Sequence, residues 1–230
     1  MNAQEQKVAA AREALSVVKS GMRLGLGTGT TSDEFVKLLG AAVASGQLRE
    51  LRCTCTSNKT EALARSLGIE VTTLAELVPL DLAIDGADEI DAQLRLIKGR
   101  GGALLREKIV EQAALRFIVI ADETKLVERL GAGTLPVEVT PFALDVLMKR
   151  FDEMGVQPVL RLHDGAPRIT DEQHRIIDVS VPHASTDIAD VVARIREHAG
   201  VVETGFFPFE ATEAILSRAS GIEWMRRPRA

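Results

Sequence analysis

Residues 80–108 read LDLAIDGADEIDAQLRLIKGRGGALLREK. Asp85, Asp88, Glu89 and Asp91 fall within seven positions. Lys98 follows, then a glycine-rich turn and Glu107, with no histidine or cysteine among them. A strand-like run over 80–84 stops at Asp85, at the edge from which parallel sheets present functional side chains. Gly86 lets the chain turn there, so that Asp85 and Asp88 can converge on one pocket. Two neighbouring carboxylates raise one pKa, and a lysine beside them lowers it again. A set tuned in this way can donate and accept protons near neutral pH. Two other readings compete: acids placed to complement a helix dipole, or a site for Mg²⁺ or Ca²⁺. The spacing fits no EF-hand loop, and Lys98 and Arg100 bring positive charge that competes with a cation.

Glu107 lies about one helical turn beyond GRGG. Its neighbours at three and four residues are Ala103, Leu104, Val110 and Glu111, three of them apolar. A glutamate against such a wall has a raised pKa and suits a general base. On spacing alone, a surface glutamate among the charges of REKIVE is the plainer reading.

A second candidate, GLGTGTTSDEF from Gly25, lies between a strand and a helix. It misses the dinucleotide fingerprint, because Thr30 or Ser32 stands where the third glycine would be, and no Gly-Lys-Ser/Thr follows to make a Walker loop. What remains is a helix N-terminus whose backbone N–H groups are flanked by the hydroxyls of Thr28, Thr30, Thr31 and Ser32. That arrangement suits one phosphate or another small anion. A tight turn that needs glycine only for its backbone angles is the alternative.

The elements that must position these residues follow from periodicity. Helices are expected from about Glu5 to Lys19 and over SDEFVKLLGAAVA with Ser32 as N-cap. Two more are expected over NKTEALARSLG and GALLREKIVEQAALR. Strands are expected at MRLGLG, LRCTCT, IEVTTL, LDLAID and FIVIAD. Their alternation implies a Rossmann-like, mostly parallel sheet with helices on both faces. After Gly131 the rhythm becomes β-α-β-β-α-β, from LPVEV to a strand VVETGFF, the split or ferredoxin-like α+β unit. The expected division is 1–130 as the Rossmann-like catalytic part and 131–207 as the smaller one. The strand-like C-terminal residues 208–230 return to the first sheet.

The whole chain has 230 residues, 46% hydrophobic and 27% charged, with a net charge of −5. This is an ordinary globular balance that offers no electrostatic footprint for nucleic acid or a membrane surface. The tail arginines Arg226, Arg227 and Arg229 read as a solvated terminus. No apolar run reaches the roughly 18–20 residues needed to span a bilayer, and the N-terminus reads as a helix rather than a signal peptide. Cys53 and Cys55 point to one face of a strand as core thiols in a reducing cytosol, too close for a mutual disulfide. His163, His174, His183 and His198 all fall in the second part. No G-x-S-x-G, H-E-x-x-H or paired C-x-x-C is present. These residues point to cofactor-free proton transfer on a small phosphorylated, hydroxyl-rich molecule, and aldose–ketose isomerisation fits.

GLGTGTT, DGADEID, KGRGGALLREK and IADETK, in this order and at these intervals, resemble the signature segments of type A ribose-5-phosphate isomerases. The likeness extends through LPVEV to VVETGFF. It implies interconversion of D-ribose 5-phosphate and D-ribulose 5-phosphate through an enediol(ate) in the pentose phosphate pathway. It also implies no metal or organic cofactor and a cytoplasmic homo-oligomer, a dimer first of all. Carried over by position, Glu107 is the proton-shuttling base, Asp85 and Asp88 assist ring opening and hydroxyl protons, and Lys98 stabilises developing negative charge. The substrate would be held by Thr28, Gly29, Thr30 and Thr31, by Gly86 and Ala87 between the two aspartates, by Gly99, Arg100 and Gly101 beside Lys98, and by Lys125. Thr30 stands where the family often has serine, Arg100 interrupts a usual glycine run, and the segments around Ser57 and at the C-terminus are only loosely similar. Two other classes compete: a sugar-phosphate sensor that keeps the fold, and acyl transfer through a covalent glutamate.

Overall fold

The computed structural model describes residues 1–181 and 186–227, so His183 and Arg229 lie outside the described residues. The chain runs through α1 (Ala3–Leu15), β1 (Arg23–Leu26), α2 (Thr30–Ala44), β2 (Arg52–Cys55), α3 (Asn58–Ser66), a short α4 (Leu74–Leu77) and β3 (Leu82–Asp85). The two-residue strands β4 (Glu89–Ile90) and β5 (Leu96–Ile97) precede α5 (Leu104–Gln112) and β6 (Phe117–Asp122). Next come β7 (Thr134–Val139), α6 (Leu144–Glu153), β8 (Val159–Leu160), β9 (Leu162–His163), β10 (Ala166–Pro167), β11 (Arg175–Ser180) and α7 (Ile188–Arg196). The last strands are β12 (Val201–Thr204), β13 (Phe206–Phe207), β14 (Glu213–Arg218) and β15 (Gly221–Arg226).

The central sheet has the order β15-β14-β6-β3-β1-β2. All of its neighbours run parallel except the β14–β15 hairpin. Its strands are apolar on both sides because both faces are covered. On one face Leu24 and Leu26 meet Phe35, Val36 and Leu39 of α2 and Ala10 and Ala14 of α1. On the other face α5 comes so close that a side chain at Gly25 would strike Val110. The C-terminal segment joins this sheet, with β14 parallel to β6.

A four-stranded antiparallel sheet, β12-β7-β11-β8, carries α6 and α7. Phe151 and Leu147 of α6 and Val191 and Ile195 of α7 close its core on Val137 and Ile177. A third small sheet, β13-β5-β4, ties the two together. The expected single strand VVETGFF is therefore two strands, broken at Gly205. Its amide donates to Pro136 O (2.7 Å), and its carbonyl accepts from the Lys98 amide (2.9 Å).

Several local expectations are corrected. The first helix begins at Ala3, where the N-cap Asn2 and Glu5 in its first turn form a capping box, and it ends at Leu15. Ser32 lies inside α2, and Gly29 is the N-cap. IEVTTL contributes only a bridge from Val71 to Cys53 before α4 begins. The helix over GALLREKIVEQAALR is shorter and ends at Gln112, and QPVLRL divides into β8 and β9. Among the described residues, no helix is long and apolar enough to cross a membrane.

Candidate active site

β2 lies on one side of β1 and β3 on the other. The chain therefore leaves the sheet in opposite directions at the carboxyl ends of β1 and β3 and opens a crevice between them. The turn after β1 supplies one wall. Gly29, at φ +130°, caps α2 without a side chain, so the first N–H groups of the helix face outward. Lys7, reaching across from α1, donates to Thr30 Oγ1 at 2.9 Å. The Thr28 hydroxyl turns away from this wall to meet Thr56, Ser57 and Thr60 at 2.6, 2.8 and 3.0 Å.

Asp85, the last residue of β3, stands beside Gly27. A side chain at Gly27 would collide with its carboxylate. The Ser32 hydroxyl (2.8 Å) and the Gly86 amide (2.7 Å) both donate to Asp85 Oδ1. Asp85 Oδ2 lies 2.8 Å from Lys98 Nζ, which also donates to Gly86 O at 2.5 Å. Lys98 is only 2% exposed, and its position is fixed by β5 and by the amide bond to Gly205. Burial opposes its charge, but Asp85, Glu107 and Glu111 overcome that and raise its pKa.

Glu107 belongs to the first turn of α5 and is 3% exposed, so the surface-glutamate reading does not hold. Its Oε2 lies 3.8 Å from Lys98 Nζ. Burial pushes its carboxyl up to about 8; Lys98 opposes the rise and Asp85, Asp88 and Glu138 add to it. The helix is anchored by its next residue. Lys108 Nζ donates to Glu203 Oε1 (2.9 Å), Thr204 O (2.8 Å) and Phe206 O (2.7 Å), and sits 4.4 Å from the centre of the Phe207 ring.

These walls enclose a cleft of about 320 Å³. It is lined by Thr28, Gly29, Thr30 and Thr31 on one side and by Gly86, Ala87, Asp88, Lys98, Gly99, Gly101 and Glu107 on the other, with Lys125 at its rim. Asp85 sits behind Lys98 rather than on the lining. Arg100 is placed differently from the other candidates: its guanidinium lies 2.5 Å from Glu89 Oε1, away from the lining, while its amide donates to Asp88 Oδ2 at 2.9 Å. Glu89 and Asp91 are structural, the first holding the Gly131 and Gly133 amides and the second pairing with Arg95. Lys7, Ser32, Asp122 and Thr124 also line the cleft, and Glu111 touches Lys98 from behind at 3.1 Å. A larger groove, about 550 Å³, passes Cys55, Arg65, Arg106 and Ile109. It holds none of the clustered acids, and both of its arginines are paired with carboxylates.

None of the three described histidines lines the cleft. Both cysteines are free, and burial pushes the Cys55 thiol up to about 12. Among the described residues, no group of three or more His, Cys, Asp or Glu side chains is placed to hold a metal ion. The arrangement combines an anion-binding helix end, a buried carboxyl held near neutrality and a fixed ammonium. It can hold a phosphorylated molecule at one end and move a proton at the other.

The profile of the family described as ribose 5-phosphate isomerase A (phosphoriboisomerase A) matches residues 52–221. The ribose-5-phosphate isomerase A of Roseiflexus castenholzii is 46% identical, over 96% of this chain and 95% of that protein. The enzyme of the same name from Brucella suis is 47% identical, over 98% of each. A solved D-ribose-5-phosphate isomerase in complex with phospho-erythronic acid superposes with a TM-score of 0.93 at 37% identity, covering 99% of this chain and 100% of that one. The ribose 5-phosphate isomerase from Plasmodium falciparum also gives 0.93, at 35% identity and with 98% and 100% covered.

Proposed function

The chain belongs to the ribose 5-phosphate isomerase A family, and from that premise we propose how its own side chains interconvert D-ribose 5-phosphate and D-ribulose 5-phosphate. The phosphate docks on the N-terminus of α2, against the 28–31 turn, with Lys7 and Lys125 supplying point charges. The sugar chain then extends toward Glu107. Asp88, on the lining, takes and returns hydroxyl protons during ring opening. In the open aldose, ionised Glu107 removes the proton from C2, and electron density moves onto O1 as the enediolate forms. The Lys98 ammonium, held by Asp85, stabilises that charge. Glu107 returns its proton to C1 while the O2 proton passes to O1, leaving the ketose. No electrons leave the substrate.

The observation that carries this reading is the buried Glu107 carboxyl opening into the same cleft as the threonine turn, 3.8 Å from the Lys98 ammonium. The test is Glu107→Gln, assayed with ribose 5-phosphate in D₂O after chelator treatment. Turnover falls by about 10²–10⁴-fold while substrate affinity is kept. The unsubstituted enzyme forms ketose without added metal and admits solvent deuterium at C1. Full turnover in the glutamine variant would remove Glu107 from the role.

The same reading divides the chain into 1–130 with 208–230 and 131–207, and makes it a cytoplasmic homodimer. Sedimentation of the purified protein reads the assembly, and cell fractionation reads the location.

A further inference from the structure

Three carboxylates surround one ammonium. Lys98 Nζ lies 2.8 Å from Asp85 Oδ2, 3.1 Å from Glu111 Oε1 and 3.8 Å from Glu107 Oε2. The proposed reaction gives work to Asp85 and Glu107 and none to Glu111. Glu111 follows Glu107 by four residues on α5, so the two carboxyls leave the same face of the helix. Glu111 is 2% exposed and does not line the cleft, and among the described residues its carboxyl has no hydrogen-bond donor besides the Lys98 ammonium. Its ion pair is with Lys98. A buried charge needs compensation, and this carboxylate takes it from the ammonium that Glu107 would otherwise hold alone with Asp85.

We infer that Glu111 is a positioning residue: its carboxylate draws the Lys98 ammonium to the back wall of the cleft and so keeps Glu107 from being neutralised by a close ion pair. The inference rests on Glu107 being the base. If Lys98 closed onto Glu107, the ionised form would be stabilised and its pull on a carbon-bound proton weakened. With Glu111 sharing the cation, the ammonium stays on Asp85 and Gly86 O, where it faces the developing oxyanion. Other charges face the pair from every side. Glu107 meets Asp85 from β3, Asp88 from the turn after it, Lys98 beyond β5 and Glu138 from β7; Glu111 meets Lys98, Asp85 and Glu107. Lys108 is tied to Glu203 of β12. Burial makes both glutamates hold their protons more tightly than usual, and the shared Lys98 ammonium opposes that rise in each; Asp85 adds to it in both, and Glu107 adds to it in Glu111.

The test compares Glu111→Gln, which keeps the size and removes the charge, with Glu111→Asp, which keeps the charge. In the glutamine variant the acidic limb of kcat/KM moves to lower pH and the plateau kcat falls by up to about tenfold, with KM nearly unchanged. The aspartate variant shifts the limb less. A limb that stays in place in folded Glu111→Gln, or that moves equally in both variants, overturns the inference, since packing rather than charge would then be at work. Glu107→Gln is run beside them. If that variant turns over normally, the base assignment has failed; if it is inactive while the Glu111→Gln limb is unmoved, only the role of Glu111 has failed. Should Glu111→Gln not fold, ¹³C-glutamate NMR of the unsubstituted enzyme decides: a linked titration of residues 107 and 111 supports the inference and two independent steps overturn it.

Discussion

Asp85 occupies the space where Gly27 would carry a side chain. Gly27 directly follows β1 and Asp85 ends the neighbouring parallel strand β3, and the Gly27 amide donates to Ile84 O at 2.9 Å, so neither can step aside. Gly27→Ala therefore displaces the aspartate that holds Lys98. Turnover falls by at least about 10²-fold, the scale of a misplacement near 1 Å, while circular dichroism still reports a folded sheet. An alanine variant with normal kcat would mean that Asp85 need not sit where it does.

The pH profile follows from Glu107. Burial raises its carboxyl to about 8, so its proton leaves only as pH climbs through that value. The ionised form is the base, so kcat/KM rises with pH along a limb near 8 and levels above it. A limb in the ordinary carboxylate range, at about 4–5, would show that another group controls the rate.

The same shift makes a statement about stability. Folding favours the protonated form of Glu107, so its contribution is lost as pH rises from the unfolded carboxylate range toward about 8. Glu107→Gln, which cannot ionise, is expected to be more stable than the unsubstituted protein by about 1–3 kcal/mol above pH 8 and equal to it near pH 4. Urea titrations at the two pH values measure this difference.

Lys7 donates to Thr30 at the helix end proposed to hold phosphate. Lys7→Met keeps the length and removes the charge. KM for ribose 5-phosphate rises about tenfold, as expected for one charge-assisted hydrogen bond, with kcat within about twofold. The salt dependence of KM weakens in parallel. An unchanged KM would remove Lys7 from the phosphate site.

The strand–helix alternation and the acidic turn were legible because each is a local pattern: an apolar run ending in Asp85-Gly86, and a glycine turn opening α2. Glu107 was not legible as a buried residue, because its cover comes from β7 and from the Lys108 anchor on β12, nearly a hundred residues away. Lys7 is illegible in the sequence for the same reason, since only the packing of α1 beside α2 brings it to Thr30. Glu111 is a helical neighbour of Glu107 by its spacing, but nothing in that spacing shows that Lys98 stands within 3.1 Å. The segment IEVTTL alternates like a strand. It turns into α4 instead, where Glu76 follows Thr73 by three residues and accepts from its hydroxyl at 3.1 Å.

Gly205 gives the arrangement a further meaning. Its peptide group is shared, the nitrogen bonded to Pro136 of β7 and the oxygen to the backbone of Lys98. The ammonium is thus hung from a joint between β12 and β13, strands that the chain supplies more than a hundred residues after the lysine itself. The reaction centre is not portable: an N-terminal fragment transplanted without residues 131–207 would carry every acid of the cleft and still lack the peg that sets its cation in place.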